Sequence, residues 1–573
     1  MSFRAPLVEQ LFVLETIGNI EGIASLPAFT AATPELIEAV LDESAKLAEQ
    51  VFAPLNKIGD IEGSVWRNGE VSLPDGYASA FRQYVAGGWG SLGSDPRWGG
   101  QGLPFVLALA VQEQLTAANM AFALNMMLTL GAIEALQSHA SDDLNALYLT
   151  KLVSGEWTGT MNLTEPQAGS DVGALRTRAE PAADGSWRIK GSKIFITWGE
   201  HDLAENIVHL VLARTPGSPA GTKGISLFLV PKFLEDGVRN DLRCVSIEHK
   251  LGIHASPTCT MSFGDADGCV GYMVGAENGG MRAMFTMMNH ARINVGLQGV
   301  GIAERAYQAA LGYARERVQG LRIIDYPDVR RMILTMRATT EAIRALAYFN
   351  AAAVDRGHSG DAQAQMLADL LTPVTKAYAT DMGVEVASLG IQVFGGMGFI
   401  EETGAAQHFR DARIAPIYEG TNGIQAMDLV GRKLRQGRWE ALFAEIATEI
   451  DLAGATPETA ALQAPLEAAL SALTHATKWM LDQSDAQDVT AGASPYLRMF
   501  GILMGGYLLA RQARIACERI AGGTADDLPF LRTKIATASF FITQILPQAG
   551  ALLSAATAGA APLYAISEDQ FAA

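Results

Sequence analysis

A glutamate set where water is scarce is the first chemical feature of this chain. Glu419 lies in Ala415-Pro-Ile-Tyr-Glu-Gly-Thr-Asn-Gly-Ile-Gln425, after an apolar run at 414–417 and before a helix-like pattern at Ile424, Leu429, Val430 and Leu434. A carboxylate at a helix mouth among apolar neighbours is poorly solvated, which raises its pKa toward neutrality. A general base that takes a proton from carbon near pH 7 needs that condition. Gly420 has no Cβ, so a ligand can approach the backbone there, and its N–H joins the donors of the helix start. Taken alone, the stretch reads equally as an ordinary helix start, with Thr421 or Glu419 as the cap.

The elements that must position this acid fall into three stretches. Thr33-Pro34-Glu35-Leu36 opens a helix with a capping hydroxyl, a first-turn proline and an acid at the positive dipole end. Leu36, Val40, Leu47 and Val51 follow at helical spacing, and Pro54 is expected to close the run. A further helix is expected over 77–86, ending at Gly87-Gly88. From 105 to 139 the chain is almost free of charge and carries Met120, Met126 and Met127. Helices apolar all round are buried ones, although a methionine-rich face could also line a pocket.

The texture changes at Trp157. Runs such as Lys193-Ile-Phe-Ile-Thr197, Ile207-Val-His-Leu-Val-Leu212 and Ile225-Ser-Leu-Phe-Leu-Val230 alternate with turn signals such as Asp184-Gly185 and Pro216-Gly217. Short runs of this kind without helices between them predict an antiparallel sandwich or barrel. Helical spacing returns after Gly280. The expected fold class is therefore α+β: an N-terminal helical domain over 1–156, a middle antiparallel β domain over 157–277, a C-terminal helical domain over 278–438 and an additional helical domain over 439–573. Phe394-Gly-Gly-Met-Gly-Phe399 follows a helical run rather than a strand, so its glycines form no Rossmann fingerprint.

Composition narrows the partners. Of the 573 residues, 49% are apolar and 18% charged, which describes a globular chain with large cores. A net charge of −18 argues against nucleic acid or an anionic membrane surface as partner. Cys244, Cys259, Cys269 and Cys517 show neither CxxC pairing nor histidine partners at metal-binding spacing. They read as buried thiols, and no metal site is expected. Residues 535–567 carry no charge, long enough to span a bilayer, but Thr537, Ser539, Thr543, Gln544, Pro547 and Gln548 suit helices packed on helices or on a second subunit. The chain opens without a signal-type segment, so a soluble cytoplasmic protein without membrane insertion is expected.

Asn162-Leu-Thr-Glu-Pro-Gln-Ala-Gly-Ser-Asp-Val172 resembles the signature of the acyl-CoA dehydrogenase family. Lys193-Ile-Phe-Ile-Thr197, Lys250-Leu-Gly-Ile-His-Ala-Ser-Pro-Thr258, Phe394-Gly-Gly-Met-Gly-Phe399 and Tyr418-Glu-Gly-Thr421 follow in the family's order, over roughly 35–435. The resemblance implies a C-terminal four-helix domain, with FAD held between the β domain and the last helices. It implies oxidation of an acyl-CoA to the trans-2-enoyl-CoA, with Glu419 as the α-proton base and flavin N5 as the hydride acceptor. Polarisation of the thioester oxygen by the N–H of the base residue and a flavin ribityl hydroxyl would be an oxyanion-type arrangement.

Residue by residue, the resemblance places Met161, Leu163 and Thr164 beside the flavin ring, Phe195 on its face and Thr197 near N5. Arg317 matches an arginine on the FAD pyrophosphate across a dimer interface; Gln392 and Gly396 serve the same nucleotide, and Thr421 joins the cofactor set. Ser170 matches a serine near the CoA pyrophosphate, while Asn289, Arg292, Tyr418 and Gly420 border the substrate. Ala291 stands where some relatives carry the base, which alanine cannot be. The sequence departs from the family pattern at Val318-Gln319-Gly320 and at Gly423, and His290 is expected to be a surface or packing residue.

The long C-terminal segment and the stretch 280–292 resemble a longer bacterial-type subgroup that includes 3-methylmercaptopropionyl-CoA dehydrogenases. Methionines at 281, 284, 287 and 288 could meet a thioether-bearing chain by soft sulfur contacts, or be core. A short- or medium-chain acyl-CoA is expected as substrate, 3-methylmercaptopropionyl-CoA being the specific candidate, with an electron-transferring flavoprotein as acceptor and a homodimer as the assembly. An oxygen-using oxidase on the same fold stays open. So does a DNA-damage-response flavoprotein, against which the tail beyond Trp439, with about twice as many acids as bases, counts.

Overall fold

The computed structural model describes residues 3–523 and 527–572; the side chain of Asn289 lies outside the described part. The N-terminal helices used below are α1 (Leu7–Thr16), α2 (Pro34–Leu47), α3 (Tyr77–Ala86), α4 (Phe105–Ala118) and α5 (Met120–His139). The Leu36 N–H donates to Thr33 Oγ1 at 3.3 Å, so the expected cap of α2 forms. Pro54 does not close the run. The chain passes through a π-turn at Ala48–Phe52 into another helix, Ala53–Glu62. A wide i→i+5 turn absorbs the hydrogen bond that proline cannot donate, so the helix continues. The α4–α5 pair is buried on nearly every face, and Met120, Met126 and Met127 are core residues.

Eight strands follow: β1 (Trp157–Asn162), β2 (Arg178–Pro181), β3 (Trp187–Thr197), β4 (Asn206–Ala213), β5 (Ser226–Pro231), β6 (Leu242–Ile247), β7 (Thr258–Phe263) and β8 (Val270–Val274). They lie in the order β1-β4-β5-β8-β3-β7-β6, with β2 beside β3. One pairing departs from the antiparallel expectation: β1 and β4 run parallel, Trp157 opposite Asn206 and Asn162 opposite Val211. The β2–β3 hairpin lies between them in sequence, long enough to return the chain in its original direction. Every residue of β4 and β5 is buried, because one face of the sheet packs on the helices and the other closes a second core around Phe228, Cys259 and Met261. All four cysteines are buried free thiols.

Long helices complete the chain: α6 (Gly280–Glu316), α7 (Pro327–His358) and α8 (Ala362–Phe394), then the short α9 (Ala405–Ala412) and α10 (Asn422–Asp428) on either side of Glu419. Behind them stand α11 (Arg438–Ala455), α12 (Gln463–Asp482), α13 (Ala493–Ala521) and α14 (Leu528–Gln544). Gly501 lets α13 press onto α8: a Cβ there would sit 2.2 Å from the Tyr378 ring. The uncharged tail begins at a buried ionic anchor, where Lys534 Nζ lies 2.7 Å from Glu9 and 2.6 Å from Glu341. Beyond it Phe541, Ile542 and Leu546 are buried in the helical cores. Segments 120–139, 362–399 and 528–556 have the length and hydropathy of a membrane span.

Candidate active site

The turn between α9 and α10 is closed by its own backbone. The Tyr418 N–H donates to Ile414 O at 3.2 Å and the Asn422 N–H to Pro416 O at 3.0 Å. Between these bonds the chain takes two left-handed residues, Glu419 with φ 55° and Gly420 with φ 83°. The first costs about 1–2 kcal/mol for a residue with a Cβ. In return, the backbone N–H groups of Glu419, Gly420 and Thr421 find no protein partner among the described residues. Successive unpaired N–H groups in such a turn form an anion-seeking concavity. The Ile424 N–H donates to Thr421 Oγ1 at 3.3 Å, so Thr421 is the cap and Glu419 is left free.

Glu419 keeps part of its surface open, but the protein massed around it pushes its pKa up to about 7, against the pull of Arg292 and Lys376. Among the described residues no hydrogen bond or ion pair engages its carboxylate. Arg292 is buried, its guanidinium held below its usual range by burial, with Nε unpartnered and Nη2 3.7 Å from where a Cβ on Gly420 would lie. Lys376, on α8, is fully buried, and burial pushes it down to about 7 against the attraction of Glu419 and Asp381. Its Nζ donates to Asn422 Oδ1 at 2.8 Å, and Asn422 in turn donates to Asp381 at 2.7 Å. Sequence reasoning missed Lys376. Its signal was a lone cation in the otherwise uncharged run 370–380. Tyr418 turns its hydroxyl to Gln298, which reaches Met127 Sδ at 3.4 Å, so the turn is fastened to the methionine-bearing helix α5.

The second half of the site lies on the β domain. Lys193 Nζ donates to Glu165 at 2.9 Å and to Leu163 O at 3.0 Å, and the Ile194 N–H donates to Thr164 O at 2.9 Å. Glu165 also accepts from the Arg176 and Thr177 N–H groups and the Thr177 hydroxyl. Burial alone would raise Glu165, but Lys193 and these donors hold it at about 2; burial outweighs Glu165 at Lys193 and lowers that ammonium to about 8. Both ends stay charged at pH 7. This pair, which locks 162–165 onto β3, was also not read from the sequence, although each motif carries one of its two charges.

Between Lys193 and Ile196 the register of β3 against β7 shifts, and in that bulge Phe195 takes φ 58° with 58% of its surface exposed. A bulge re-aims a side chain out of the pleat. Met161, Leu163, Thr164 and Thr197 are half-buried nearby in the pinned segments, and Ser170 is exposed on the following loop. An exposed aromatic face with a partly apolar, partly hydroxyl-bearing surround fits a flat, polar-edged ring such as a flavin. The loop 250–258 ties this half to the first: the Trp198 N–H donates to Pro257 O at 2.7 Å, and the Ile253 N–H to Asp411 at 2.5 Å, at the end of α9 and just ahead of Glu419.

The residues expected on the nucleotide end of FAD, Arg317, Gln392 and Gly396, form a separate cluster. Tyr313 and Phe394 stack with centroids 4.2 Å apart, bringing the ends of α6 and α8 together. Arg317 and Gln392 are exposed there, and Gly395 (φ 61°) and Gly396 have open space where a Cβ would stand. Val318, Leu321 and Phe399 beside them expose 57%, 57% and 86% of their surface.

The chain thus carries an unpaired carboxylate on a turn between helices and an exposed aromatic face on its β domain, in a helical–β–helical order. Residues 36–156, 160–266 and 278–434 match the acyl-CoA dehydrogenase N-terminal, middle and C-terminal domains, and 442–567 match the acetyl-CoA dehydrogenase C-terminal like domain. The chain belongs to the acyl-CoA dehydrogenase family, and as such it is an FAD-dependent oxidoreductase. It is 46% identical to the 3-methylmercaptopropionyl-CoA dehydrogenase of Ruegeria pomeroyi, over 96% of this chain and 97% of the relative. It is 38% identical to a butyryl-CoA dehydrogenase of Syntrophomonas wolfei, over 89% of each. Among solved structures, Caenorhabditis elegans ACDH-11 in complex with C11-CoA shares the fold at TM-score 0.79 and 22% identity, covering 95% of this chain and 92% of that one.

Proposed function

We propose that this chain oxidises a short acyl-CoA, with 3-methylmercaptopropionyl-CoA as its substrate, to the trans-2-enoyl-CoA. The observation that carries the reading is Glu419: a glutamate poised near pH 7, unpaired, on a turn that leaves three N–H groups free. Ionised Glu419 takes the α-proton. The free N–H of Glu419 polarises the thioester oxygen as negative charge develops, an effect worth several kcal/mol in a site closed to water. Arg292 adds a fixed positive charge beside Gly420, and Lys376 keeps a larger share of Glu419 ionised than burial alone would allow. Bound FAD supplies the acceptor for the β-hydride. Loss of a proton from Cα and a hydride from Cβ leaves the trans double bond.

The similarity to the Ruegeria pomeroyi enzyme supports the sulfur substrate. Of the four methionines near α6's start, Met284 and Met287 are fully buried, which leaves half-buried Met281 and Met288 for contact with a thioether. We assign Met161, Leu163, Thr164, Phe195, Thr197 and Thr421 to the flavin, and Ser170, Arg292, Tyr418 and Gly420 to the thioester. Arg317, Gln392 and Gly396 are assigned to a nucleotide shared with a second subunit. The exposed apolar residues around Arg317 support a homodimer, and the buried free thiols suit a cytoplasmic protein. The acceptor we assign is an electron-transferring flavoprotein.

Anaerobic titration of the FAD-loaded enzyme with 3-methylmercaptopropionyl-, butyryl- and octanoyl-CoA tests the reading. The first is expected to bleach the flavin fastest, with dye rather than oxygen restoring the colour. Failure of every thioester to bleach a fully loaded preparation overturns it.

A further inference from the structure

His290, half-buried on α6, stands beside two further side chains that can ligate a metal. Glu134 from α5, His290 from α6 and His358, the last residue of α7, each bring one ligand atom to within 4.8 Å of the other two. His290 Nδ1 is 3.7 Å from Glu134 Oε2, and the two imidazoles meet edge to face with centroids 5.6 Å apart. Phe105 stacks flat on His290 at 4.9 Å and fixes its plane. The three side chains border a cavity of about 170 Å³, whose wall also includes Thr286, Gln365 and Asp369. None of them belongs to the flavin, thioester or base positions assigned above.

We propose that Glu134, His290 and His358 bind a divalent first-row cation of the zinc type. Two neutral imidazoles and one carboxylate form a borderline-soft donor set, which suits zinc-like ions and disfavours magnesium or calcium, whose ligands are oxygens. Metal–ligand bonds of about 2.0–2.2 Å put tetrahedral ligand atoms roughly 3.4 Å apart. The three atoms therefore need to close by about an ångström, a movement open to His358 because it is exposed at a helix end. The cavity leaves room for a water as fourth ligand, with Asp369 available to orient it although it also lies 3.6 Å from Lys433. The ion would clip three helices together just ahead of Arg292. A clip of this kind adds its binding free energy to the folded state.

Tag-free, FAD-loaded full chain, stripped with chelator and dialysed, provides the test, with Zn²⁺ and Co²⁺ as probes. Wild type is expected to retain one ion per chain by elemental analysis, to show a visible Co²⁺ band of low symmetry, and to melt higher with Zn²⁺ than without it. His358→Ala and Glu134→Gln should each weaken binding at least tenfold and abolish the Zn²⁺-dependent rise in Tm. His358 is exposed, so its variant folds even where a change at His290 would not. Wild type that retains no ion, or a His358→Ala protein that binds as tightly as wild type, refutes the site.

Discussion

Two desolvated glutamates, buried Glu165 and half-buried Glu419, behave in opposite ways. Glu165 meets an ammonium and four further donors and is held at about 2; Glu419 meets none of these and is pushed up to about 7. The local sequences do not differ much in polarity. What differs is whether the fold supplies a partner. Burial raises a carboxyl in both places, and only direct pairing reverses it. One glutamate therefore fastens a motif, while the other stays basic enough to take a proton.

The largest effect expected from breaking this contrast is on rate. Glu419→Gln keeps size and hydrogen bonding but removes the base. Flavin reduction should then fall about 10⁴-fold, roughly 5–6 kcal/mol in the barrier, while FAD retention and the spectral response to acyl-CoA binding persist. Stopped-flow reduction within tenfold of wild type would show that Glu419 is not the base. The same substitution at Glu165 should act on stability instead. It leaves Lys193 buried without a counter-charge, at a cost of about 3–5 kcal/mol, read as a lower denaturant midpoint at pH 7.

Stability against pH sharpens the comparison by sign. The Glu165 pKa lies below the ordinary value of 4.5, so its contribution is present above about 4.5 and fades as pH falls toward 2. The Glu419 pKa lies above 4.5, so its contribution is fully present below that value and is lost as pH rises through about 7. Glu419→Gln should therefore be more stable than wild type at pH 8, by about 1–3 kcal/mol and with a higher Tm, and show little difference at pH 4. Equal melting at both pH values would mean that the carboxylate is well solvated. The smallest effect concerns Lys376. Its charge lowers the Glu419 pKa, so Lys376→Met should move the acid limb of the rate profile to higher pH, with activity recovering under alkaline conditions. A uniform loss at every pH would assign Lys376 a packing role only.

The sequence alone determined the succession of helical, β and helical stretches, because side-chain periodicity follows from backbone geometry. It also supplied the helix start at Thr33, the end of α3 at Gly87, and a glutamate next to a glycine where a left-handed turn was wanted. Only the tertiary structure decided the parallel pairing of β1 with β4, the π-turn that carries the chain past Pro54, and the placing of Arg317 and Gly396 in a cluster of their own. Lys193 reaches Glu165 across 28 positions, and Lys376 influences Glu419 across a longer stretch of chain. Local sequence biases φ, ψ and burial, but the pKa of a buried acid depends on charges brought near it through space. The choice between an anchor and a base was therefore made by packing.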